Sequence, residues 1–280
     1  MNIAPNKKRL ESHFIYDWIK YVAVILAIIV AFAFFYSATV KQLTDIEELR
    51  VVLCSYNYDQ TKMNDASAQA LAAIGKEVNP ELKHVGVNNY SYADQTTESV
   101  DLVKFEVELT DVLGDVYILP SVEKYREEGP PLIAGDDGKS WQYTPHYRFS
   151  HQLVCGRDTF IPIDELIAQE KASNNALRRQ RAERLEQIFS QYNPTDLYYE
   201  HVRYYVLSPY KEPTYFEQDK VNGEYVAKKW GVNLSVLDQN KLKSLFIGET
   251  KDEFILSVRI NSKNHSDSIA FLIWLFENYA

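Results

Sequence analysis

Twenty consecutive uncharged residues, YVAVILAIIVAFAFFYSATV between Lys20 and Lys41, constrain this chain more than anything else in it. A helix rises about 1.5 Å per residue, so such a run covers roughly 30 Å, the thickness of a bilayer's hydrocarbon core. No second run of that length occurs, and the expected arrangement is a single crossing of the lipid bilayer by residues 21–40. Lys7, Lys8, Arg9 and Lys20 precede the run against Glu11 and Asp17, whereas Lys41 and Arg50 mix with Asp45, Glu47 and Glu48 after it. The positive-inside rule then makes residues 1–20 a basic cytoplasmic tail and residues 45–280 an extracytoplasmic domain of the cell membrane. Trp18, Tyr21 and Tyr36 stand near the two ends, where amphipathic rings favour the headgroup layer. A cleaved signal peptide is the competing reading. It expects an apolar stretch of about 7–15 residues closed by a small-residue site. The best match, Ala31-Phe32-Ala33, falls in the middle of the run.

Beyond the anchor the chain is long enough for one large α/β domain or two lobes around a sizeable core. Of 30 basic and 39 acidic residues, 25 and 37 lie after position 41, a net charge of −12 there. A surface of that sign repels nucleic acid and anionic headgroups, so nucleic acid is not an expected partner. The two cysteines, Cys54 and Cys155, both fall on the external side, where a disulfide persists; the alternative is that each is a small buried apolar residue.

Local patterns alternate between strand and helix. RVVLCSY (50–56), LKHVGVNNYSY (82–92) and DVYIL (115–119) read as strands. Between them, 64–78 reads as a helix capped by Asn64 or Asp65, and 99–114 as a second helix ending at Gly114. Residues 121–129 read as a short helix and 164–192 as one long charged helix. The β-α-β-α-β order implies a mainly parallel sheet with helices on its faces. The long helix carries Arg178, Arg179, Arg181 and Arg184, a basic cluster suited to an acidic partner, with a solvated face balanced by Glu183 and Glu186 as the plainer reading. Residues 192–225 hold eight of the twenty tyrosines, a composition that fits a cleft wall, an interface or half-buried strands.

Motifs that carry chemistry are missing: no nucleophile elbow, P-loop, paired-histidine zinc helix or dinucleotide fingerprint occurs. His146, His151, Cys155 and Asp158 cluster, but a spacing of five puts the two histidines on opposite faces of a strand, so no metal site is expected. Asp136-Asp137-Gly138 reads as a turn, since the alternating ligands of a calcium loop are absent. No enzyme activity and no cofactor are expected.

Three stretches carry a resemblance. FILSVRINSKNHSDSIAFLIWLFENY (254–279), with Ser262, Lys263 and Asn264 followed by Ala270, Phe271 and Leu272, resembles the closing strand-turn-helix of extracellular solute-binding proteins of the periplasmic-binding-protein type 2 class. GDVYILPSVEKYREEG (114–129) is similar to that family's strand leading out of the interlobe cleft, and GVNLS (231–235) has its character. Basic tail, anchor and ectodomain together resemble single-pass membrane-anchored proteins of Gram-positive bacteria. The resemblance implies a two-lobed ectodomain, with lobe one at about 48–135 and 250–280 and the remainder, including 164–192, as a second lobe. It implies a non-catalytic solute- or peptide-binding module, with a small-molecule or peptide ligand held at strand ends by Ser55, Tyr56, Asn57, Tyr90, Ser121 and Glu123, faced by Tyr198 and Tyr205. The alternative is a structural or assembly component of the cell envelope that docks a membrane-protein partner through the arginine cluster.

Overall fold

The computed structural model describes residues 7–39, 43–56, 59–77, 79–91, 103–105, 107, 114–121, 132–134, 141–143, 147–149, 159–205, 214–245 and 253–280. They form two units, 1–43 and 44–280, each treated by itself.

The first unit is helix α1 (Lys7–Thr39), whose window Trp18–Phe35 is unburied and is the only span among the described residues long and apolar enough to cross a membrane. By length and composition that span fits a membrane anchor or a signal sequence. The helix starts well before the apolar run, inside the segment expected as a tail. Extending a helix through Lys-Lys-Arg-Leu-Glu adds a hydrogen bond per residue without a new nucleation step.

In the second unit the elements are β1 (Glu48–Ser55), α2 (Gln60–Glu77), β2 (His84–Ser91), β3 (Val116–Pro120), β4 (Leu132–Ala134), β5 (Trp141–Tyr143), β6 (Phe160–Ile161), α3 (Ile163–Lys171), α4 (Ala176–Phe189), α5 (Pro194–Leu197), β7 (Tyr198–His201), β8 (Tyr204–Tyr205), β9 (Thr214–Tyr215), β10 (Lys220–Val221), β11 (Glu224–Tyr225), β12 (Lys228–Asn233), α6 (Gln239–Leu245), β13 (Phe254–Arg259) and α7 (His265–Tyr279). The main sheet runs β2-β1-β3-β13-β12-β7, with β6 paired to β13. β2, β1 and β3 are parallel, as the β-α-β reading requires, but β13, β12, β7 and β6 join through antiparallel pairings. The sheet is therefore mixed, not mainly parallel. Strands expected in the second lobe, β6, β7 and β12, belong to the same sheet as β1–β3.

Strict alternation builds two cores from one sheet. Leu49, Val51, Leu53, Val116, Ile118, Leu256 and Val258 face α2, α3, α4 and α7, whereas Val52, Cys54, Tyr117, Leu119 and Ile255 face an aromatic layer with Phe105, Phe149 and Phe160. Every residue of β3 and β13 is buried, the pattern of central strands. α7 is buried from Asp267 through Phe276, so it is apolar on all sides and packs as an interior helix.

Three expectations change in detail. α2 begins at Gln60, because Asp59 rather than Asn64 or Asp65 caps it, its Oδ1 accepting from Thr61 N (3.0 Å) and Lys62 N (3.2 Å). The charged stretch 164–192 is two helices: Asn175 Oδ1 accepts from Leu177 N at 2.9 Å and starts α4 afresh. This break turns the apolar stripes of α3 and α4 onto the same core. Gly114 is required by close approach, since a Cβ there would lie 2.6 Å from Tyr117 Oη and 2.7 Å from Val52 Cγ2. In the 99–114 segment, 103–105 and 107 are helical and Gly114 is not; of the helix expected over 121–129, Ser121 is not helical and 122–129 lie outside the described residues, as do Cys155 and the cluster around it, while Cys54 is buried in β1.

Candidate functional site

From β1 the chain passes through α2 to β2 on one side, and after β2 it comes to β3 on the other side of β1, so the sheet has a topological switch point between β1 and β3. In open α/β sheets ligands bind in the crevice outside the carboxyl ends of the strands at such a point, where the connections diverge. Here that end is formed by Ser55 and Tyr56 after β1, Ser91 after β2, and Pro120 and Ser121 after β3. The register holds them together: Ser55 lies opposite Ser91, and Leu53 opposite Ile118.

Small polar groups line this end. Ser55 is fully buried; the Asn89 amide, oriented by its surroundings, donates from nitrogen to Ser55 Oγ (2.9 Å) and Leu53 O (3.3 Å), and its oxygen accepts from Tyr90 N (3.2 Å). Ser91 Oγ donates to Tyr56 O (2.9 Å), and Ser121 N donates to Glu253 O (2.8 Å), which fixes the end of β3 beside the start of β13. The Tyr56 ring is 41% exposed, an aromatic surface at the mouth of this end. The accessible groups here are the Tyr56 ring and the half-buried Ser91, with Ser55 and Ser121 buried behind them, an arrangement that suits recognition. Among the described residues no group of His, Cys, Asp or Glu is placed to hold a metal.

The other expected residues fall elsewhere. Tyr90 turns into the aromatic core, its ring 5.6 Å from Phe105, so it is a packing residue and not a cleft wall. Tyr198 opens β7, separated from β1 by β3, β13 and β12, a distance of about 19 Å at the usual strand spacing. It packs against Phe189 (5.9 Å) with Lys229 Nζ 4.4 Å from its ring, and burial pushes its phenol pKa up. Tyr198 also borders an open groove of about 590 Å³ with Thr195, Glu200 and Asn233. Tyr205 pairs with Thr214 in a small separate ladder. Asn57 and Glu123 lie outside the described residues.

The arginine cluster works inside the domain. Arg178 grips the buried carboxylate of Glu170, with Nε at 2.7 Å from Oε2 and Nη2 on Oε1. Arg179 Nη1 donates to Ser173 O (2.7 Å), and Arg181 Nη1 to Ser266 Oγ (2.6 Å). Arg184 forms a fork on Glu277, 2.7 Å on each arm. These contacts tie α4 to α3 and α7, so all four guanidiniums are engaged within the fold, Arg178 and Arg184 by carboxylates.

Sequence reasoning gave no role to a polar clasp where the chain joins the domain, at a recess of about 210 Å³. The Asp115 carboxylate accepts from Arg50 N (2.9 Å) and Ser262 Oγ (2.6 Å), while Asn264 Nδ2 donates to Asp45 O (2.5 Å) and Glu48 O (2.9 Å). Lys263 Nζ lies 2.5 Å from Asp45 Oδ2 and holds that carboxyl below the usual range. Ser262-Lys263-Asn264, noticed only through resemblance, thus fastens the β13–α7 turn to the start of β1. Its donors and acceptors satisfy one another, which is the signature of a structural joint.

Asp267, in the first turn of α7, gives a pH-dependent contribution. Burial raises its pKa; Asn79 donates to its Oδ2 at 3.0 Å, Arg181 and Arg178 oppose the rise, and Asp115 adds to it. A carboxyl with a raised folded-state pKa supports the fold when protonated, below its ordinary value near 3.9, and that support is lost as pH rises through the folded value. Asp267→Asn is therefore expected to melt above the wild-type protein at pH 7, with the difference closing as the pH is lowered toward 4. Denaturant titrations at both pH values check this.

No family model, no curated protein and no solved structure matches this chain. What defines it is its own architecture, a mixed α/β domain following one long apolar helix.

Proposed function

We propose that the protein is a single-pass, membrane-tethered binding module with a cytoplasmic N-terminus, whose extracytoplasmic α/β domain holds a small solute or peptide without catalysing its conversion. The observation that carries this reading is the switch point at the ends of β1 and β3, bordered by Ser55, Tyr56 and Ser121. It lies one strand length, about 25 Å, from the clasp at which the chain joins the domain. The resemblance to solute-binding proteins supports the same site. On that reading the second lobe is reduced to what surrounds the small ladders β4–β5, β8–β9 and β10–β11. The envelope-assembly alternative relied on the arginine helix, and its engaged guanidiniums weaken it.

The test is a thermal-shift screen of the full-length protein in detergent against sugars, amino acids, oligopeptides and cell-wall fragments. A ligand at about a hundred times its Kd adds roughly 2.7 kcal/mol and raises Tm by several degrees. Tyr56→Ala is expected to weaken that ligand more than about tenfold, about 1.4 kcal/mol, while Tm without ligand barely moves because the ring is partly exposed. Absence of any shift across the library, or a ligand indifferent to Tyr56, sends the reading back to envelope assembly.

A further inference from the structure

We propose a second binding site, independent of the switch point: the groove between β2 and α2 receives an extended, basic polypeptide segment that adds a strand to the sheet beside His84–Val87. A cavity of about 410 Å³ runs there, within the roughly 300–1,000 Å³ typical of ligand sites. One wall is a single stripe of α2, Asn64, Ser67, Ala68 and Leu71, at the i, i+3, i+4, i+7 positions that share a helix face. The other is β2, with Val85 and Val87.

Among the described residues the two ends of the sheet, β7 and β2, differ in a way that marks β2. β7 is four residues long, and its partner β12 shifts register between Lys229 and Gly231. Short length and an irregular ladder discourage a further strand from pairing. β2 is eight residues long, its pairing to β1 is unbroken from Glu48–His84 to Ser55–Ser91, and it contains neither lysine nor proline. Natural edges of that kind are templates for strand addition.

The occupant follows from the chemistry. Along a strand edge N–H and C=O groups alternate at the spacing of an extended backbone, which a small solute or a helix does not reproduce. Side chains of the added strand alternate, and those turned toward α2 meet Val85, Val87, Leu71 and Ala68. Small or aliphatic residues fit there, with Asn64 and Ser67 supplying polar contacts. The net charge of −12 beyond residue 41 draws in a segment with basic flanks and disfavours an acidic one.

The experiment pans the full-length protein in lipid nanodiscs against phage-displayed random heptapeptides. Enriched peptides are expected to alternate aliphatic residues, to carry net positive charge and to slow amide exchange at residues 84–87. Their affinity is expected to fall at least about tenfold with Ala68→Trp, which fills the groove from an exposed helix position, and to survive Ala68→Ser and Tyr56→Ala. Unchanged melting curves establish that these variants fold. The proposal is overturned by any of three results: no enrichment; peptides that bind Ala68→Trp undiminished or depend on Tyr56; or protection of 84–87 by self-association of the protein alone.

Discussion

Asp219→Ala is expected to destabilise the domain by about 3–5 kcal/mol, because it leaves a guanidinium buried without its carboxylate. Arg203 and Asp219 meet through two contacts, Nε–Oδ2 at 2.8 Å and Nη2–Oδ1 at 2.7 Å, and the two side chains are only 4% and 3% exposed. The Arg203 guanidinium also lies 4.5 Å from the Trp230 ring centroid, and Trp230 Nε1 donates to His201 O at 3.0 Å. The pair therefore holds the end of β7, the segment before β10 and strand β12 in one arrangement. For a domain of this size each kcal/mol moves Tm by roughly 2–4 °C, so calorimetry should find a fall of about 6–20 °C. The paired replacement Arg203→Met with Asp219→Leu is expected to recover much of the loss, since removing both charges also removes their desolvation cost. A single substitution with no measurable effect would show that the carboxylate is dispensable there.

Tyr90→Ala is expected to cost a similar amount, about 3–5 kcal/mol, the usual penalty for deleting a buried aromatic ring. Tyr90 is 9% exposed and stacks toward Phe105, which in turn lies 4.8 Å from Phe149 and 6.4 Å from Tyr117. From sequence alone Tyr90 and Tyr56 are equivalent candidates for a cleft. The structure separates them. Urea denaturation should show a lower midpoint for Tyr90→Ala, an almost unchanged one for Tyr90→Phe, and no change for Tyr56→Ala. Equal midpoints for all three would remove Tyr90 from the core.

Local patterns in the chain were sufficient for those elements whose signal is local. An uncharged run of bilayer length declares α1, and uniformly apolar or alternating segments declare β1, β2 and β3, because hydrophobic period and strand propensity act over a few residues, while β13 and α7 are expected through resemblance alone. That β1, β2 and β3 pair in parallel follows from the β-α-β order, whereas the order β2-β1-β3, and with it the switch point, comes from the pairing of the folded sheet. Beyond that point the sequence is silent for a physical reason. Whether β13, β12 and β7 enter antiparallel depends on pairings between residues distant in the chain, such as Ser257 with Tyr117 and Val232 with Leu256. Charge patterning likewise presents four arginines on a helix but not their partners: Glu170 is eight residues from Arg178, Glu277 is 93 from Arg184, and only folding brings both within reach. The same holds for the clasp, where Asn264 meets Glu48 across 216 residues. Sequence by itself thus determined the long apolar helix and the parallel strands β1, β2 and β3, each set by short-range periodicity. Tertiary structure alone decided which polar residues are spent on holding the fold, because hydrogen bonds and ion pairs depend on distances that the chain acquires only when its sheet is assembled.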